Sequence, residues 1–124
     1  MPTPRSIVVL GASRNPARYS NMLVRRLKTR EDYTIVPVNP AQEDIEGLPV
    51  SPSLSSLPAN PDLLTLYVSP SHSEGLAPEI VRLNPGRVIF NPGAENPRLE
   101  AALNAAGITT ENACSLVLLS QNEL

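Results

Sequence analysis

A chain of 124 residues, 41% hydrophobic and 18% charged, is long enough to bury a core and too apolar to stay disordered. A net charge of −2 with only 3% aromatic residues argues against a nucleic-acid surface, which needs a basic face and stacking rings. The longest apolar run, Ala113 to Leu119, is interrupted by Ser115 and falls well short of the ~20 residues that span a bilayer.

Strand and helix patterns alternate from end to end. Ile7 to Leu10 is a continuous apolar run, as expected of a strand buried on both faces. Gly11-Ala12-Ser13 follows, and Ser20 is placed to cap a helix over Asn21–Thr29 with Leu23 and Leu27 inward. Thr34–Val38 reads as a second strand closed by Asn39-Pro40, and the polar stretch Ala41 to Glu46 leads to Gly47-Leu48-Pro49-Val50. Ser53–Leu57 holds one helical turn at most, and Leu63–Val68 reads as a third strand closed by Ser69-Pro70. Leu76, Ile80 and Leu83 mark a helix with Pro78 in its first turn. Gly86–Phe90 is a fourth strand closed by Asn91-Pro92-Gly93. Asn96 then caps a helix that opens with Pro97, turns Leu99, Ala102, Leu103 and Ala106 inward and stops at Gly107. Ile108–Thr110 is a short fifth strand, and the tail from Ala113 carries no clear pattern.

Such alternation with short links predicts a Rossmann-like, doubly wound α/β fold: a mostly parallel five-stranded sheet in three α/β/α layers. Ligands of these folds bind beyond the carboxyl ends of the strands. Each strand here ends in small, polar or proline-stiffened residues. The first of these turns fits a phosphate: Gly11 allows a tight turn, Ala12 and Ser13 keep the wall low, and the next helix presents free N–H groups. It is not the full G-x-G-x-x-G fingerprint, since Gly11 is the only glycine of the turn. Charge is lopsided in the same region. The first thirty residues carry +7 and no carboxylate, and the rest carry −9. Arg14 and Arg18 stand beside the turn, while Arg25, Arg26, Lys28 and Arg30 read as a wet helix face. An NAD site expects a carboxylate after the second strand to hold the ribose, and Asn39 stands there instead, which counts against NAD and leaves NADP open.

The stretches Val9-Leu10-Gly11-Ala12-Ser13, Asn15-Pro16, Arg18-Tyr19-Ser20, Val36-Pro37-Val38-Asn39-Pro40, Ile45-Glu46-Gly47, Ser51-Pro52-Ser53-Leu54, Arg87 to Gly93 and Ala113 to Val117, in that order, resemble the CoA-binding domain proteins. These are small bacterial proteins similar to the N-terminal domain of the succinyl-CoA synthetase alpha subunit. The resemblance covers nearly the whole chain and implies one CoA-binding domain over residues 1–124, with CoA or acyl-CoA as ligand. It implies that the pyrophosphate lies on the amides near Gly11, Ala12 and Ser13, with Arg14 and Arg18 neutralising charge and Ser20 as a further donor. Asn39 and Pro40 would border the adenosine, Ser69 and Pro70 would flank its other side, and Asn91, Pro92 and Gly93 would line the pantetheine groove. CoA carries roughly three to four negative charges near neutral pH, a match for the basic N-terminal block.

No catalytic set is legible. His72, the single histidine, reads as a loop residue after the third strand, and it has no partners for a metal site or a Ser/His/Asp arrangement. The phosphohistidine of succinyl-CoA synthetase belongs to a second domain with no counterpart here. Cys114, near where the pantetheine arm would end, reads either as a thiol exchanging with CoA or as a small apolar residue. A non-catalytic CoA-binding protein is therefore expected, acting alone, as a homodimer or with a protein partner. Its single cysteine and the absence of a signal-type apolar segment in Met1–Arg5 lead to a cytoplasmic expectation. Two alternatives stay open: an NAD(P)-dependent oxidoreductase or a subunit of one, and a protein-interaction domain that keeps a vestigial nucleotide groove.

Overall fold

The computed structural model describes residues 3–41 and 43–124. Five parallel strands form one sheet: β1 (Arg5–Leu10), β2 (Tyr33–Val38), β5 (Leu63–Leu66), β6 (Val88–Phe90) and β7 (Thr110–Asn112), in the order β2-β1-β5-β6-β7. The chain moves from β1 outward to β2, then returns across β1 to continue through β5, β6 and β7. The order thus reverses between β1 and β5, and in open α/β sheets that reversal opens a crevice at the carboxyl ends.

Both faces are covered, as the sequence predicts for a doubly wound sheet. On one face Ile7 and Val9 pack against Leu23, Val24 and Leu27 of α1 (Tyr19–Lys28) and Leu118 and Leu119 of α5 (Ser115–Ser120). On the other, Val8, Leu64, Leu66 and Phe90 pack against Ile80 and Leu83 of α3 (Ala77–Leu83) and Leu99 and Leu103 of α4 (Pro97–Ala105). Alternate residues of β1 thus feed opposite cores, which is why its sequence is apolar without interruption. Among its described residues the crossover from β2 to β5 carries no α-helix. It holds the two-residue strands β3 (Asp44–Ile45) and β4 (Leu48–Pro49), paired as a hairpin, and a 3-10 turn at Leu54–Ser56. Among the described residues no helix is long and apolar enough to cross a membrane.

Several boundaries differ from expectation for local reasons. Ser20 does not cap α1. An Asx turn, in which Asn15 Oδ1 accepts from Ala17 N at 3.0 Å, has already bent the chain, so the helix starts at Tyr19 with Arg18 at the cap and Ser20 inside. Ile108 is not strand. It donates its N–H to the Leu103 carbonyl while Gly107, at φ +86°, donates to Asn104, so both belong to a Schellman cap and β7 begins two residues later at Thr110. Ala102 and Ala106 are exposed, not inward. Ser69-Pro70 opens a short separate helix α2 (Pro70–Ser73), so His72 is helical rather than in a loop. The patternless tail becomes α5.

Asn96 does cap α4, accepting from Leu99 N at 3.1 Å, and its Nδ2 donates to Ser73 Oγ at 2.8 Å, fastening α4 to α2. Asn96→Ala removes both bonds from a residue only 8% exposed, and thermal or denaturant unfolding is expected to show a loss of about 1–2 kcal/mol.

Candidate functional site

The turn leaving β1 lies where the strand order reverses. Gly11 adopts φ +88°, and a Cβ there would meet Val68 Cγ1 at 2.9 Å and the Tyr67 carbonyl carbon at 3.1 Å. Only glycine allows both that conformation and that approach. Two side-chain amides hold the turn's carbonyls: Asn39 Nδ2 donates to Ala12 O at 2.8 Å and Asn21 Nδ2 to Ser13 O at 2.9 Å. The N–H groups of Gly11 and Ala12 both donate to the Val38 carbonyl, at 3.1 and 3.3 Å, so these two amides are engaged by β2 rather than free for a ligand.

Free donors lie one step further on. α1 begins with Arg18 at its cap and no side-chain capping bond, and the N–H groups of Tyr19, Ser20 and Asn21 have no acceptor among the described residues. An uncapped first turn concentrates unsatisfied donors and the positive end of the helix dipole. Ser20 is only 3% exposed, and its hydroxyl likewise has no partner among the described residues.

These groups open into a cleft of about 550 Å³, lined by Gly11, Ala12, Ser13, Arg18, Tyr19 and Ser20 on one side, Asn39 at the end of β2, Tyr67, Val68, Ser69 and His72 after β5, and Pro92 after β6. That volume is in the range of small-molecule sites. Eight of the predicted residues meet there: Gly11, Ala12, Ser13, Arg18, Ser20, Asn39, Ser69 and Pro92. Asn39 borders the cleft with its side chain committed to Ala12 O and to Ala41 N.

Six predicted residues lie outside the lining. Arg14, Pro40, Pro70 and Gly93 are exposed beside it. Asn91 is buried beneath it, with Nδ2 donating to Thr65 Oγ1 and Leu66 O and Oδ1 accepting from Ser115 N. Cys114, half-buried, occupies the cap position of α5. The expected wet face holds for Arg25 and Arg26, which border a separate shallow groove of about 360 Å³ with Met22 and Thr29.

Some lining residues escaped the sequence reading. Tyr19 is 67% exposed at the rim. Tyr67 brings a phenol whose hydroxyl is buried without a hydrogen-bond partner among the described residues; burial first, and the neighbouring Cys114 second, hold its pKa above the ordinary range, so it stays protonated at neutral pH. His72 Nδ1 lies 2.7 Å from Ser69 Oγ. Asn21 had a legible signal, a polar residue on the apolar face of a helix, in step with Val24.

The arrangement, with an open nucleotide-sized cleft at the reversal of a parallel sheet and a basic, uncapped helix start, is that of a binding domain for a phosphorylated ligand. The chain belongs to the CoA binding domain family, whose model matches residues 5–120. It is similar to the alpha subunit of ADP-forming acetate–CoA ligase II of Pyrococcus furiosus, 31% identical over 65 residues that cover 52% of this chain and 14% of that protein. ADP-forming acetate–CoA ligase I of Archaeoglobus fulgidus is 28% identical over 100 residues, covering 80% of this chain and 14% of the relative. The chain therefore spans about one seventh of the length of these archaeal relatives. A solved structure from Thermus thermophilus superposes with a TM-score of 0.86 at 31% identity, covering 98% of this chain and 91% of that one.

Proposed function

We propose that this protein binds coenzyme A in the cleft, with the pyrophosphate on the first turn of α1. The carrying observation is the uncapped start of a ten-residue helix, where Arg18 at the cap, Tyr19 and Ser20 with their free amides, and the unpartnered Ser20 hydroxyl line one cleft. Ser13 extends that donor set toward the β1 turn. Adenosine lies toward β2, bordered by Asn39 and Pro40, and the pantetheine arm runs over Val68 and Ser69 toward Pro92 and Gly93. Ser69 therefore belongs to the pantetheine side, because β5 and β6 lie on the far side of β1 from β2.

The role we propose is a binding module rather than a complete enzyme. The likeness to much longer proteins, of which the matched stretch is 14%, supports a partner that supplies the remaining chemistry. Titration calorimetry with CoA tests the reading directly: heat of association and displacement by CoA are expected, and no binding at millimolar CoA would sink it. NAD is expected not to compete, since Asn39 stands where a carboxylate would hold the ribose hydroxyls, and its amide already serves Ala12 O and Ala41 N.

Arg18→Gln is expected to weaken CoA binding about tenfold and to flatten its dependence on salt, because one charge-assisted contact to phosphate is lost. Calorimetry at two ionic strengths reads both effects. An unchanged affinity would move the pyrophosphate away from α1.

A further inference from the structure

Asn21 is fully buried, and every hydrogen-bonding position of its amide that is filled leads to a different part of the site. Nδ2 donates both to Ser13 O at 2.9 Å and to Glu46 Oε2 at 3.1 Å, and Oδ1 accepts from Arg25 Nε at 2.8 Å. Arg25 continues to the Pro16 carbonyl at 2.9 Å. Glu46 stands at the tip of the β3–β4 hairpin at φ +52°, and its carbonyl accepts from Lys28 Nζ. The hairpin is therefore tied to α1 at two points, and one of these ties passes through Asn21 into the turn after β1.

In a trans peptide the carbonyl and the following N–H point in opposite directions. With Ala12 O held by Asn39 and Ser13 O held by Asn21, the N–H groups of Ser13 and Arg14 are turned away from those two amides. Asn39 is fixed by β2, whereas Asn21 takes its orientation from the acceptors and donors around it. A primary amide is the one side chain that donates twice and accepts once within so small a volume. Aspartate at the same position would offer no donor to Ser13 O and would face the Glu46 carboxylate.

We infer that Asn21 and Glu46 are positioning residues, and that the β3–β4 hairpin sets the orientation of the Ser13–Arg14 peptide through this one buried side chain, while Asn39 holds the Ala12–Ser13 peptide before it. The inference rests on the phosphate role proposed above for that region. It gives the hairpin, which replaces a crossover helix, a task at the site. Glu46 also places a negative charge near an anionic ligand, so removing its charge alone favours binding. The useful comparison is therefore between two neutral variants.

Glu46→Gln keeps an oxygen that accepts from Asn21. Glu46→Gly removes the acceptor and suits the left-handed backbone of the hairpin tip, so the turn itself is preserved. Amide proton–nitrogen spectra of the ligand-free protein and CoA calorimetry are measured on both. The glutamine variant is expected to keep the Ser13 and Arg14 resonances close to wild type and to bind CoA at least as well. The glycine variant is expected to shift the Arg14 resonance, more than that of Ser13, and to bind about fivefold more weakly than the glutamine variant. Unshifted resonances in the glycine variant, or equal affinities of the two, overturn the inference. Failure of the wild-type protein to bind CoA overturns instead the functional reading, and the resonance comparison alone then decides the positioning role.

Discussion

Gly11→Ala is expected to cost both stability and ligand affinity. The added methyl has to share space with Val68 Cγ1 at 2.9 Å and the Tyr67 backbone at 3.1 Å, and an L-residue at φ +88° is strained on its own account. The two terms together come to about 2–4 kcal/mol, a fall of roughly 10 °C in Tm for a chain of this size. Relief requires β1 and the segment after β5 to separate, and that separation moves the two walls of the cleft apart. CoA affinity, measured at low temperature where the variant remains folded, is expected to fall at least tenfold. Gly93→Ala is the control. Gly93 has a similar φ of +92°, but nothing lies within 4 Å of the added methyl. It is expected to lose about 1–2 kcal/mol from backbone strain and to retain CoA affinity. If the two variants melt and bind alike, close approach at Gly11 is not what shapes the cleft.

The contrast between these glycines shows where sequence reading reaches and where it stops. Both sit in turns after strands, and a turn glycine announces itself in sequence; which of the two has Val68 pressed against it depends on a pairing between β1 and β5 that lies across more than fifty residues. The fold was legible for the same reason that glycines are: apolar runs, Asn-Pro caps and Gly stops are local signals. Gly107 and Ile108 show the limit. The stop was visible, but Ile108 looks like the start of a strand because an isoleucine suits both a strand and the buried contact of a Schellman cap. The β3–β4 hairpin was hidden because two-residue strands leave no periodicity to read. Residues that line the cleft through exposed backbone or charge, such as Ser13 and Arg18, could be picked by type and place. Which amides are free could not. Val38 occupies the N–H groups of Gly11 and Ala12, and this follows from the register of β1 against β2, not from the composition of the turn.

Asn91→Ala is expected to cost much of the chain's stability, and the residue acts from beneath the cleft. Its side chain is 2% exposed and makes bonds of 2.6 Å to Thr65 Oγ1, 2.8 Å to Leu66 O and 2.8 Å from Ser115 N. Thr65 Oγ1 and Ser115 Oγ are themselves 2.8 Å apart, so one buried network joins β5, the end of β6 and the start of α5. Asn91→Ala leaves a buried threonine hydroxyl, a carbonyl and a helix N–H short of partners and opens a cavity, at a cost on the order of 3–4 kcal/mol. Far-UV circular dichroism during denaturant unfolding is the measurement. The outcome separates two roles for the residue. A groove-lining Asn91 predicts a fall in CoA affinity at nearly unchanged stability, while the bolt seen here predicts the reverse. Asn91→Asp sharpens the distinction. Its carboxyl, buried beside Leu66 O with no cation, has a folded-state pKa raised above the unfolded one, so whatever stability it contributes is present at low pH and is lost as pH rises through the folded value. Relative to wild type at the same pH, Asn91→Asp is expected to resemble Asn91→Ala at neutral pH and to recover part of the loss near the ordinary carboxyl pKa, where the protonated group again donates to Leu66 O or Thr65. A deficit independent of pH would show that the bonds to Leu66 and Thr65 are not what Asn91 contributes.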